Sequence, residues 1–149
     1  MSERTTSVFA SSARWALLLP VAIATAIAVR VAVFYINRYT LSFAVPFFAS
    51  DYLGPDSLFG GGLVVLFADC AMGAAFIYVS TSIAPSYKRQ VAIVLGAIAL
   101  VFGSARSIYL LQGNDRWGAF TYSCFAMGSL LCAIYRLQEY RESALLEAR

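Results

Sequence analysis

Four apolar runs, each about as long as a bilayer is thick, occupy most of this chain and leave room for few other folds. A helix needs ~20 mostly apolar residues to cross ~30 Å of hydrocarbon. The runs cover about 15–36, 58–83, 91–111 and 117–135. Inside hydrocarbon every backbone N–H and C=O must be satisfied within the segment, so such runs become helices. The expected fold is an all-α integral membrane protein, multi-pass, with four transmembrane helices. The connections 84–90 and 112–116 are short. Short loops set antiparallel neighbours, and an up-down-up-down bundle follows.

Composition supports the bilayer as solvent. The chain is 60% hydrophobic and 13% charged, against about a quarter charged in soluble domains. The net charge of +3 comes from basic ends and gives no case for nucleic acid. There is no histidine, which excludes haem held by paired histidines, His-bearing zinc sites and His acid–base catalysis. Cys70, Cys124 and Cys132 all fall inside apolar runs without CxxC spacing. Buried free cysteines behave as small hydrophobes. Cys124 and Cys132 lie two turns apart on one helix and cannot pair with each other. No Ser/His/Asp set, HExxH, phosphate loop or pair of carboxylates is present, so no catalytic residue, metal or cofactor is expected.

Lysine and arginine set the expected orientation. Arg4 and Arg14 precede the first span, Lys88 and Arg89 lie between the second and third, and Arg136, Arg141 and Arg149 follow the fourth. The opposite side has Arg38 and Arg116. Both termini are therefore expected in the cytoplasm, with residues 1–14 as an N-tail and 136–149 as a helical extension. Leu137, Tyr140, Ala144 and Leu145 share one face of that extension. The first span resembles a signal peptide in its basic flank and its Ala26-Ile27-Ala28. Its apolar run continues past that point, so it is read as a retained helix. The long connection 37–57 lies on the outer side. Its apolar part, Leu41 to Phe48, is too short to span and is expected to lie in the interface.

Packing in lipid depends on small residues, because the hydrophobic effect no longer drives helices together. Stripes appear at Ala24, Ala28 and Ala32; at Gly62, Asp69, Gly73 and Ser80; at Ala99, Gly103 and Ser107; and at Cys124, Gly128 and Cys132 with Thr121. They are expected to mark the contact faces.

Three spans carry one charge each: Arg30, Asp69 and Arg106. Intramembrane charge is costly and marks a functional candidate. The two arginines can snorkel to the outer interface. Asp69 is mid-span and too short to do so, and needs a partner, a proton or an ion. Pairing with Arg106 or Arg30 is the simplest solution. Arg106 shares a side with Ala99 and Gly103 and is expected inward. Arg30 lies nearly opposite the Ala24/Ala28/Ala32 stripe, so one of those two faces packs and the other faces lipid or a partner. Tyr35, Asn37 and Tyr109 are expected contributors to the cluster.

Two functions fit. The first is a non-enzymatic subunit or binding module of a membrane assembly, partnered by lipids and other membrane subunits or copies of itself, with an anionic lipid or ligand near the Arg/Asp cluster. The second is a small oligomeric transporter or channel that uses Asp69 as the proton- or ion-coupling residue.

Overall fold

The computed structural model describes residues 2–44, 54 and 56–147, without the side chains of 2–11, 144 and 147. These residues form four helices: α1 (Ser2–Ala44), α2 (Leu58–Ile83), α3 (Lys88–Gln112) and α4 (Arg116–Glu147). Each contains a stretch long and apolar enough to cross a membrane. Large apolar side chains such as Leu17, Ile27, Phe67, Val101 and Leu131 are exposed around the outside. A surface of that kind belongs in lipid or against partners.

Helix ends follow local chemistry. Ser57 caps α2, its Oγ accepting the Gly60 N–H at 2.9 Å, so the triple glycine that follows is helical from its start. Pro85 lies in the connection after α2, and Tyr87 there adopts φ 55 before α3 begins. Asn114 takes φ 62 after α3, a conformation its short polar side chain tolerates. Asp115 then caps α4 through the Gly118 N–H at 2.9 Å.

The 43 residues of α1 would extend roughly 65 Å, about twice the hydrocarbon thickness. The helix therefore runs through the segment expected to begin the outer connection. No proline or glycine occurs between Ile36 and Ala44, so nothing there stops it. The rest of the expected interfacial stretch, 45–48, lies outside the described residues.

α2 is the central element: α1 packs along it, α4 packs along it, and α3 lies mainly on α4. The interior is built from small residues. Gly73 faces the Phe125 carbonyl and Ser129, and Gly128 faces the Cys70 carbonyl. A β-carbon at either would collide with backbone of the opposing helix. That is how small-residue stripes bring membrane helices together. On α3, Ala99, Gly103 and Ser107 are buried against α4. Ser107 Oγ donates to the Ala119 carbonyl at 2.9 Å, and Gly96 sits against Ala133.

The α1 stripe is corrected. Ala24, Ala28 and Ala32 are exposed, whereas Leu18, Ala22 and Ala26 are buried. α1 has alanines at four-residue spacing in two registers, and the register that packs is the one leading to Arg30.

Candidate functional site

Continuing Leu18, Ala22 and Ala26 by four residues reaches Arg30, then Phe34. On α2, Val64, Ala68, Asp69 and Ile77 are buried. The α1–α2 contact therefore sets Arg30 beside Asp69, and Arg30 Nε donates to Asp69 Oδ1. The Asp69 side chain is fully buried, while that of Arg30 is 39% exposed. A bare carboxylate at this depth would be costly, and the guanidinium neutralises it.

The pair is not saturated. Asp69 Oδ2 is buried without a hydrogen-bond partner among the described residues. Thr121 of α4 lies beside the carboxylate, but its hydroxyl donates to the Trp117 carbonyl at 3.1 Å. Arg30 has five N–H donors. Only Nε is engaged among the described residues.

A cavity of about 460 Å³ opens above the pair, lined by Phe34, Arg38, Asp56, Gly61, Val65 and Trp117 among others. Phe34 and Arg38 lie one and two turns beyond Arg30. Val65 and Gly61 lie one and two turns before Asp69, and Trp117 one turn before Thr121. The helix registers thus place the cavity about one turn from the ion pair, neither member of which lines it. Arg38 and Asp56 form an ion pair of 2.6 Å at its rim.

Arg106 does not join this cluster. It is exposed on α3, with its guanidinium 5.2 Å from the Tyr109 ring centroid and 5.9 Å from that of Tyr122. No carboxylate pairs with it among the described residues. Its neighbour Ser107 occupies the position that faces α4, which rotates Arg106 about 100° away. Tyr109 therefore acts with Arg106, apart from Asp69. Tyr35 is 64% exposed and meets Phe34 edge to face at 5.6 Å. Asn37 Nδ2 donates to the Val33 carbonyl of its own helix at 2.9 Å.

A second polar centre went unassigned in the sequence. Arg136, expected at the start of the cytosolic extension, is 8% exposed. Its guanidinium lies 4.9 Å from the Tyr78 ring centroid and 5.0 Å from that of Tyr140. Nε donates to Thr81 Oγ1 at 3.1 Å, and Nη1 donates to Glu139 Oε2 at 2.5 Å. The spacing of Glu139 and Tyr140 at i+3 and i+4 from Arg136 is the one sequence signal for this centre.

The three cysteines are free; Cys70 Sγ approaches the Cys124 carbonyl at 3.2 Å. No group of three His, Cys, Asp or Glu suitable for a metal occurs among the described residues. No protein-family model, characterised protein or solved structure matches the chain.

Proposed function

We propose that this chain is a non-enzymatic subunit or binding module of a larger membrane assembly. It spans the bilayer four times in an up-down-up-down arrangement, with both termini in the cytoplasm. The pairing of Ser107 with Ala119 and of Gly96 with Ala133 supports the antiparallel run of α3 and α4. The positive residues at the Tyr87 end support its assignment to the cytoplasmic side.

The observation that carries this reading is that the buried acid finds its counter-charge within the chain. Asp69 is paired by Arg30, so the acid has a structural duty: it holds α1, which packs chiefly along α2 among the described residues, to the rest of the bundle. With its polar face used in this way, α1 presents Ala24, Ala28 and Ala32 outward. A small-residue stripe at four-residue spacing is the surface on which a further transmembrane helix packs closely. The uncommitted donors of Arg30 and the cavity above it suit an anionic group, a lipid phosphate or a carboxylate.

Purification in mild detergent tests this. The chain should retain a stoichiometric membrane partner through size exclusion, and Ala28→Trp should release it. A clean homo-oligomer that is indifferent to Ala28→Trp would count against the proposal.

A second reading rests on the unpartnered Oδ2 of Asp69. An acid with one free buried oxygen can exchange a proton or ion, as a transporter requires. Reconstituted in liposomes, such a protein would lose coupled flux on Asp69→Asn. Absence of flux in the parent, or flux unchanged in the variant, removes this reading.

A further inference from the structure

α1 leans on α2 and leaves a cleft between itself and α3 at the Tyr87 end. The cleft holds about 360 Å³ and is lined by Trp15, Leu18, Tyr87, Gln90, Val91 and Val94, among others. That volume lies within the usual range for small-molecule sites, about 300–1,000 Å³. Its body is aliphatic, and its polar atoms sit at one mouth, on Trp15, Tyr87 and Gln90.

On the two helices that line the mouth the flanking charges have one sign, and Glu139 of α4 at the same end is paired with Arg136. Arg14 flanks Trp15 on α1, and Lys88 and Arg89 flank Tyr87 and Gln90 on α3. All three are exposed, and none forms an ion pair among the described residues. No acidic residue occurs between Glu3 and Asp51, or between Asp69 and Asp115. Ser57 and Asp115 cap α2 and α4, whereas α3 has no side-chain cap. The first N–H groups of α3 therefore add to the positive potential at the mouth.

We propose that this cleft binds one anionic phospholipid, an acyl chain lying between α1 and α3 and the phosphate held by Arg14, Lys88 and Arg89. An aliphatic slot with an aromatic and amide rim at headgroup level matches the three layers of such a molecule. A second copy of the chain fits less well. A two-fold contact through this face would bring both cation triads together. The site is separate from the Arg30–Asp69 cavity, and the inference rests on the membrane-spanning reading.

The experiment uses the full chain, released from membranes and measured by native mass spectrometry with phosphatidylglycerol or phosphatidylcholine of identical acyl chains. One phosphatidylglycerol should be retained in preference to phosphatidylcholine. Lys88→Gln with Arg89→Gln should erase the preference and weaken binding by about fivefold per charge. Val94→Trp, at a half-exposed cleft position, should abolish retention of either lipid. Helicity and particle size are checked in each variant. Equal retention of both lipids by the parent, or full retention by Val94→Trp, overturns the proposal. So does a dimer that Val94→Trp dissociates. Alkaline extraction separates the two levels of failure, because release from the membrane at high pH sinks the spanning reading before any lipid is added.

Discussion

The two arginine centres of this molecule solve opposite problems. At the Trp117 end the buried partner is the acid: Asp69 is wholly enclosed, and Arg30 reaches it from a position 39% exposed. At the Tyr87 end the buried partner is the base: Arg136 is enclosed, and its carboxylate partner Glu139 is 45% exposed. The first centre joins two helices through charge alone. The second joins α4 to α2 through the Tyr78 ring and the Thr81 hydroxyl, with the Tyr140 contact and the ion pair made inside α4 itself. Removing the cation therefore has different consequences. In one place it strands a buried charge; in the other it leaves the acid at the surface.

The largest effect is expected from Arg30→Ala. Breaking a buried pair by removing one partner costs about 3–5 kcal/mol, because the remaining charge has no compensation. α1 should detach from α2 before the rest of the bundle melts, visible as loss of an engineered α1–α2 cysteine crosslink. Arg30→Leu combined with Asp69→Leu should recover most of the loss, since apolar replacement of a whole buried pair is often close to neutral. A double variant as unstable as Arg30→Ala would show that the pair does more than cancel its own charge.

Gly128→Ala tests the seam between the two centres. Its β-carbon would meet the Cys70 carbonyl, one residue from Asp69, so α2 and α4 must separate. Overpacking of this kind costs about 1–3 kcal/mol. The loss should appear in thermal melts in detergent and should affect both centres together.

Arg136→Leu should cost less than Arg30→Ala, about 1–2 kcal/mol. It removes two cation–π contacts of about 0.5–2 kcal/mol each, the hydrogen bond to Thr81 and the half-exposed ion pair to Glu139, while the leucine fills part of the space and Glu139 stays solvated. Hydrogen exchange in α4 beyond Arg136 should rise, with α1 unchanged. A loss as large as that of Arg30→Ala would erase the distinction drawn between the centres.

The same contrast explains what was legible in the sequence. Four helices followed from the length of the apolar runs, and α2 begins and ends where its run does. α1 was underestimated because polar residues such as Asn37, Arg38 and Thr40 look like a loop, although none of them breaks a helix. Asn37 and Thr40 instead bond back to carbonyls four residues earlier. Asp69 was legible as a residue in need of a partner, because no snorkelling route exists for its short side chain. The choice of Arg30 over Arg106 was not. It depends on which of two alanine registers of α1 packs, and on whether Arg106 or Ser107 faces α4, and each pair differs by a rotation that periodicity leaves open. Arg136 looked like an ordinary charge at a helix end, since its burial depends on Tyr78 and Thr81 arriving from α2, 55 residues away for the hydroxyl contact.

The smallest effect is expected at the rim of the cavity. Arg38 and Asp56 form a short ion pair, but their side chains are 45% and 78% exposed. Water screens such a pair, and exposed pairs contribute about 0–1 kcal/mol. Asp56→Asn should therefore change the melting temperature little, and any change should shrink further as salt is raised, because exposed charges are screened over about 10 Å at 0.1 M. The Arg30→Ala loss, made in a buried site, should be nearly indifferent to salt. A strong and salt-independent destabilisation by Asp56→Asn would mean that the rim pair is shielded from water and acts with the Arg30–Asp69 pair as a single charged unit.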